Sequence, residues 1–164
     1  MKGPAVLLAA CVLASSCGDD NTTAPSSAPV VFTAQLRPAN EVPPVTNSES
    51  GGSGLVQITL DTSGAPSASF HFQLTGFPSG TTIVGAHIHP GAAGVNGGVI
   101  VNTGLTAASP LTLTEGITSF NATNISVSAA TAQAIINNPG GFYFNVHSPL
   151  NPGGVARGQL VRIQ

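Results

Sequence analysis

Three of the four histidines in this 164-residue chain are placed where they can act together on a metal ion. His87 and His89 form an H-x-H pair, and His147 ends a second segment of alternating pattern. In a β-strand, residues i and i+2 point to the same face, so the two imidazoles of the pair are neighbours. Paired strands lie about 4.8 Å apart, so His147 reaches the same ion if its strand is adjacent. An ion bound by nitrogen at about 2.0–2.1 Å then has three ligands.

Neutral imidazole suits both copper and zinc, and copper stands highest in the affinity order of the divalent first-row metals. The pattern therefore predicts a copper ion at His87, His89 and His147, with zinc as the alternative. Binding should weaken as the pH falls through about 6.5, where free histidine takes up a proton. The competing interpretation is three surface histidines that bond to loop carbonyls. His71 lies on another strand without a motif around it, and we expect it to be solvated.

The segments that carry these histidines have the period-2 alternation of strands. In 142–147 the apolar residues share one face, and the polar residues, with His147, share the other. Ile88 alternates with the H-x-H pair in the same way. The three histidines should therefore face away from the core, at strand ends that precede loops rich in glycine and proline. The residues predicted to form the core are Ile58, Phe70, Phe72, Phe142, Phe144 and Val146.

The fold class predicted from the whole chain is all-β, a single antiparallel β-sandwich of seven to nine strands with Greek-key connections. One short helix is predicted over 128–137, where Ser128 can cap the N-terminus and Pro139 with two glycines follows the end. The predicted strands are 30–36, 55–61, 68–76, 82–91, 99–104, 111–124, 141–148 and 156–163.

The first residues have the pattern of an export signal. A lysine follows Met1, and the apolar run 5–14 has signal-peptide length, short of the roughly 20 residues that span a bilayer. Two serines stand directly before Cys17, which resembles the bacterial lipobox. An ordinary secretory signal is the alternative interpretation.

The chain is accordingly divided into three parts. Residues 1–16 are expected to be a lipoprotein signal peptide, 17–29 a lipidated Cys17 with a polar tether, and 30–164 the folded domain. The partner implied is a membrane, reached through the lipid anchor. The protein should then reside in the cell envelope, at the outer membrane, the cell surface or the periplasm.

Composition excludes several functions. Only 6% of residues are charged and Lys and Arg together number 4, so no basic face is available and nucleic-acid binding is not expected. Cys11 lies in the apolar run, so with Cys17 lipidated the mature domain has no thiol or disulfide. Glu41, Glu49 and Glu115 look isolated, and no nucleophile elbow or P-loop is present. The sequence therefore does not indicate an enzyme.

Several stretches taken together resemble the CHRD (chordin) domain family. They are FTAQL (32–36), NEVPPV (40–45), AHIHPGAAGVNGGVIV (86–101) and FYFNVHSPLNPGGVARGQL (142–160). The chain has Val-Ala before the R-G-Q, where family members usually carry Glu-Ile. The resemblance implies an exported single domain and leaves its biochemical activity open.

A fainter resemblance is to copper–zinc superoxide dismutase, through the H-x-H, the later V-H, the glycine-rich loop and an arginine. It implies an Ig-like sandwich, copper bound by the three histidines, and Arg157 as an anion guide. If the protein is an enzyme, it implies a copper-dependent dismutase-like activity. No histidine lies between His89 and His147, so the bridging histidine and zinc subsite of that family are missing, and so are its disulfide cysteines.

Two functions remain. The first is an exported, lipid-anchored protein that binds copper or gives redox protection in the envelope. The second is a non-catalytic adhesion or ligand-binding module of the cell surface, whose extracellular protein or carbohydrate ligand the sequence does not name.

Overall fold

The computed structural model describes residues 28–164, together with Met1 and Gly3. Cys17, nearly all of the expected signal peptide and most of the tether lie outside the described residues, so those expectations stay predictions. Among residues 28–164, no helix has the length and apolar character needed to cross a membrane.

Eleven strands and one α-helix are present in residues 28–164. The strands are β1 (Val30–Leu36), β2 (Ser53–Asp61), β3 (Ser67–Thr75), β4 (Thr82–Ile83), β5 (Gly85–Pro90), β6 (Val101–Asn102), β7 (Leu111–Thr112), β8 (Thr118–Ser126), β9 (Phe142–His147), β10 (Ala156–Gln159) and β11 (Val161–Arg162). The α-helix is α1 (Ala129–Asn137), and short 3-10 turns occur at Pro38–Asn40, Ser48–Gly51 and Pro139–Gly141.

The strands form two large antiparallel sheets and one small one. The first sheet has the order β11-β1-β2-β3-β8, the second β10-β9-β5-β6, and β4 pairs with β7. The two large sheets pack face to face: the ring of Phe144 in β9 lies 5.8 Å from those of both Phe70 and Phe72 in β3. The prediction of an all-β antiparallel sandwich is confirmed.

Strand boundaries differ from the prediction. The fourth predicted strand is interrupted at Val84, and the fifth is reduced to β6. The sixth is divided by a turn in which Glu115 (φ 52°) and Gly116 (φ 75°) leave the extended conformation. The last is interrupted at Leu160, where the chain passes from the second sheet to the first. The prediction of seven to nine strands was therefore too low, because a residue pattern does not reveal where a chain changes sheets.

The single helix forms where it was predicted. The Ser128 hydroxyl accepts a hydrogen bond from the backbone N–H of Thr131 at 3.0 Å and so caps the first turn. Ala132 and Ile135, three residues apart on one helix face, are buried against the core. Pro139 ends the helical run because its ring is incompatible with a helix interior.

The core lies between the two large sheets. Five of the six predicted core side chains are at most 2% exposed: Ile58, Phe70, Phe72, Phe144 and Val146. Phe142 is only partly buried, because it stands at the end of the ladder between β5 and β9.

The face of the second sheet opposite this core carries the histidines. The predicted alternation is confirmed, but most of this polar face is covered, with His87 and His147 partly exposed. Tyr143, Asn145 and Arg157 are each 2% exposed and His89 is 6% exposed. Loops bond to these side chains and cover them; the loops are 37–52, 91–98 and 148–154.

Candidate metal centre

Strands β5 and β9 are neighbours in the second sheet, so the three histidines converge. In the antiparallel register His87 is opposite Asn145, and His147 is opposite Gly85. The ring centroids of His87 and His147 are 4.9 Å apart. That of His89 is 5.7 Å from His87 and 5.9 Å from His147. The structure thus brings together the three residues that the sequence singled out.

Gly85 makes room for this convergence. A Cβ atom built on Gly85 would lie 3.0 Å from Cε1 of His87 and 3.6 Å from Cδ2 of His147. Contacts of 3.0 Å to a ring are tighter than nearly all real Cβ contacts. A side chain here would make the His87 ring shift by a few tenths of an ångström, while the contact with His147 would be an ordinary one. This glycine could not be predicted from the sequence, because its importance depends on the register between two strands distant in the chain.

Two of the rings are held by backbone carbonyl groups. Nδ1 of His89 lies 3.0 Å from the carbonyl oxygen of Gly97, and Nδ1 of His147 lies 3.0 Å from that of Pro152. A carbonyl oxygen only accepts, so each Nδ1 carries the proton and donates it. Nε2 of each ring is then left with a free lone pair, which is the state a metal ligand requires.

Each of the three rings has one buried nitrogen that has no hydrogen-bond partner among the described residues. These atoms are Nδ1 of His87, Nε2 of His89 and Nε2 of His147. One ligand nitrogen from each ring lies within 4.8 Å of the others. Buried polar atoms without partners are rare in proteins, and an ion held among the three rings would supply the missing partner. Metal–nitrogen bonds of about 2.0–2.1 Å need nitrogens about 3.3–3.6 Å apart, so nitrogens up to 4.8 Å apart close in by up to about 1.5 Å on binding.

Burial keeps the three imidazoles neutral. It lowers the pKa of His87 to about 4, and the neighbouring His147 and His89 add to the effect. Burial also lowers the pKa of His89 and of His147 below the usual value, against the opposing effect of their bonds to carbonyl groups. Protons therefore compete with a metal at a more acidic pH than the 6.5 expected for free histidine.

Tyr143 and Gly97 form a support behind His89. The Tyr143 ring stacks on the His89 ring, and the Tyr143 hydroxyl accepts a hydrogen bond from the Gly97 N–H at 3.2 Å. A Cβ atom on Gly97 would lie 1.8 Å from the carbonyl oxygen of Pro90, so only glycine fits. The sequence showed a glycine-rich loop here but not which glycine mattered.

Arg157 lies over the ring of Tyr143, which stacks on His89. Its guanidinium is 4.6 Å from the Tyr143 ring centroid, on the β10 strand that pairs with β9 as expected. Nε donates to the carbonyl oxygen of Asn40 at 2.6 Å, and Nη1 donates to Oδ1 of Asn96 at 2.8 Å. The side chain is buried, so the contacts describe a structural anchor for two loops. Its role as an anion guide stays a prediction.

Two glutamates that looked isolated in the sequence are buried beside this site. Glu49 accepts hydrogen bonds from the Ser148 hydroxyl and the Asn151 amide. Glu41 lies 3.8 Å from Nε of Arg157, and burial raises its pKa to about 7 despite that positive neighbour. Their partners are about a hundred residues away in the chain, so local spacing could not reveal them.

His71 behaves as predicted. It is exposed on β3 of the first sheet, and its Nδ1 lies 2.7 Å from Oδ1 of Asn121. The fourth histidine is thus outside the cluster.

Fold and site together define an antiparallel β-sandwich with three converging histidines on the covered face of one sheet. The chain belongs to the CHRD domain family, whose model matches residues 32–160. No curated protein and no solved structure matches the chain. The fainter resemblance to superoxide dismutase gains no support from these comparisons.

Proposed function

We propose that this CHRD-family protein binds one copper ion at His87, His89 and His147 and serves for copper binding or redox protection in the cell envelope. The observation that carries the proposal is a buried, unpartnered ring nitrogen on each of three histidines, one ligand nitrogen of each lying within 4.8 Å of the others. If the histidines served only to form hydrogen bonds, these nitrogens would have hydrogen-bond partners. A metal-binding role instead requires that their lone pairs are free.

The ligand set favours copper over other ions. It consists of imidazole alone, since the cluster identified within the described residues contains no carboxylate and no thiolate. Hard cations such as magnesium and calcium require oxygen ligands, while copper and zinc accept three imidazoles, with copper bound more tightly. Zinc is the alternative occupant.

The surrounding residues prepare the rings for such an ion. The carbonyl groups of Gly97 and Pro152 fix the orientation of two imidazoles and raise the basicity of their free nitrogens. Copper bound here would supply one-electron redox chemistry, and the loops that cover the face limit access by water.

A copper titration of the full purified chain tests the proposal. We expect one equivalent of Cu²⁺ to bind in competition with a chelator, with nitrogen hyperfine structure in the electron paramagnetic resonance spectrum. His87→Ala/His89→Ala should lower the affinity at least 100-fold, since two of three ligands are lost. His71→Ala is the matched control, because it removes an exposed histidine from the other sheet and should leave the affinity unchanged.

Two results would contradict the proposal. One is copper affinity in the double variant equal to that of the wild type. The other is equal loss in the His71→Ala control, which would indicate nonspecific binding by surface histidines. A parallel zinc titration decides between the two metals by their relative affinities.

The place of action proposed is the cell envelope, through lipidation of Cys17. The support is the apolar run, the small residues and the polar segment around that cysteine. Two acyl chains anchor a protein stably, so Cys17→Ser should release it into the soluble envelope fraction. If the variant is processed and stays with the membrane, the anchor lies elsewhere.

One observation favours the alternative of a ligand-binding module. A groove of about 640 Å³ opens beside β1 and is mainly apolar, with side chains such as Ala39, Val42, Pro44 and Val161 in its wall. A cell-surface ligand that binds wild type and His87→Ala/His89→Ala equally well would favour this second function.

A further inference from the structure

A second cluster of buried polar side chains lies beside the histidine cluster. Glu41 is 5% exposed, and Asn145 and Arg157 are each 2% exposed. In the sheet register Asn145 is opposite His87 on one side and Arg157 on the other. Asn145 therefore lies between the metal centre and the Glu41–Arg157 pair.

Gly154 packs the cluster closely. A Cβ atom on Gly154 would lie 2.5 Å from Nδ2 of Asn145 and 2.6 Å from Oε2 of Glu41. With a φ of 139°, this glycine also has a conformation that other residues rarely adopt. The backbone of Gly154 thus packs directly against the carboxyl group of Glu41 and the amide group of Asn145.

Three polar atoms of this cluster have no hydrogen-bond partner in the part of the chain that the structure describes. They are Oε1 of Glu41, Oδ1 of Asn145 and Nη2 of Arg157. Two of them accept and one donates, and a buried water typically makes about three hydrogen bonds to otherwise unsatisfied groups. A single water-sized molecule bound among them would give all three atoms a partner.

Few charges act on Glu41. Arg157 is 3.8 Å away on β10, and Asn145 on β9 is neutral. The loops 91–98 and 148–154 contain no titratable side chain. Glu49 in the same loop is bonded to Ser148 and Asn151. Desolvation outweighs the attraction of Arg157 and raises the pKa of Glu41 to about 7.

We propose that Glu41, Asn145 and Arg157 form a proton-exchange site that holds a water-sized molecule and releases the proton of Glu41 when a divalent cation occupies the histidine cluster. This inference rests on the proposed function. The Glu41 carboxylic acid becomes a carboxylate, and its proton passes through the bound water to solvent. The new negative charge offsets part of the positive charge that the cation brings.

The distance is short enough for such coupling. Arg157, whose Nε lies 3.8 Å from Glu41, is two strands from His87, which corresponds to about 10 Å at a spacing of 4.7–4.9 Å. Two added positive charges at this range in a buried site favour the ionised carboxyl and lower its pKa. A group half protonated at pH 7 then releases about half a proton for each ion bound.

Zinc titration of the full chain by isothermal calorimetry measures this number. Zn²⁺ is the probe because it undergoes no redox change, and buffers of different ionisation enthalpy report the protons released at pH 7. We expect Glu41→Gln to release about half a proton fewer per zinc than the wild type. Protons released by the histidines cancel in this difference, since both proteins keep all three.

Glu115→Gln is the matched control, because Glu115 is an exposed glutamate in a turn. Its proton count should equal that of the wild type.

A measurement on the wild type alone covers the case in which Glu41→Gln fails to fold. The chain has three glutamates, so carboxyl carbon resonances of glutamate-labelled protein can be followed individually. One should titrate near pH 7 without metal and at least one pH unit lower with zinc.

The outcomes separate this inference from the proposed function. Zinc binding with the same proton count in wild type and Glu41→Gln overturns the inference and leaves the metal site standing. Failure of both zinc and copper to bind overturns both. A high-resolution crystal structure with no water among Oε1 of Glu41, Oδ1 of Asn145 and Nη2 of Arg157 also overturns the inference.

Discussion

The phenol ring of Tyr143 lies parallel to the imidazole of His89, at an interplanar angle of 4° and with ring centroids 4.9 Å apart. The Arg157 guanidinium lies over the same tyrosine at 4.6 Å. Tyr143 therefore stands between a buried charge and a metal-ligand candidate. It also accepts the N–H of Gly97, whose carbonyl group holds His89.

We expect Tyr143→Phe to be mild and Tyr143→Leu to be severe. The phenylalanine variant keeps the ring and loses one hydrogen bond, which costs about 1 kcal/mol of unfolding free energy. The leucine variant also loses the stack on His89 and the contact with Arg157, worth about 1–3 kcal/mol more. Chemical denaturation of the metal-free protein measures both. Equal losses in the two variants would show that the ring contacts contribute nothing beyond the hydrogen bond.

Gly97→Ala should weaken metal binding although residue 97 is not a ligand. The added Cβ meets the carbonyl oxygen of Pro90, so the loop must shift and the bond to Nδ1 of His89 is lost. Loss of a bond that orients a ligand lowers metal affinity about 10–100-fold. Gly98→Ala is the control, because no atom lies within 4 Å of a Cβ built there. Copper titrations in which Gly97→Ala and Gly98→Ala both have the wild-type affinity would refute the role of this loop.

The metal-free protein should lose stability in acid through His87. Its pKa is about 4 in the folded state, whereas an unfolded histidine takes up a proton near 6.5. Because the folded pKa is the lower one, the stabilising contribution is complete above pH 6.5 and is lost as the pH falls towards 4. The slope over this window is at most about 1.4 kcal/mol per pH unit.

His87→Asn isolates this effect. The difference in unfolding free energy between wild type and His87→Asn should shrink as the pH falls from 6.5 to 4, and the opposing titration of Glu41 is common to both proteins. Denaturant titrations at several pH values supply the difference. A constant difference across this range would mean that His87 titrates like a free histidine.

Phe144→Ala should be strongly destabilising. Phe144 is fully buried and its ring contacts both Phe70 and Phe72 of the opposite sheet. Truncating a buried phenylalanine costs about 3–5 kcal/mol, a large part of the roughly 5–15 kcal/mol by which a domain is stable. Ile117→Ala, at a residue 60% exposed, is the control and should change stability by less than about 0.5 kcal/mol. If the denaturant midpoints of Phe144→Ala and Ile117→Ala fell equally, the placement of Phe144 in the core between the two sheets would be contradicted.

The sequence by itself determined which residues share a face. Alternation placed Phe144 and Val146 in the core and His147 opposite them, because the period of two is a local property of an extended chain. The same argument put His87 and His89 side by side. Ser128 and Pro139 likewise marked the helix ends through local hydrogen bonding and sterics.

Only the tertiary structure decided how these faces meet. The pairing of β5 with β9, which brings His147 opposite Gly85, depends on sheet order, and many orders satisfy the same alternation. The approach of Glu41 to Arg157 joins residues far apart in the chain, and burial then raises the pKa of Glu41 to about 7. Three loops cover the polar face and lower the histidine pKa values, because desolvation depends on which atoms surround a group rather than on its neighbours in sequence.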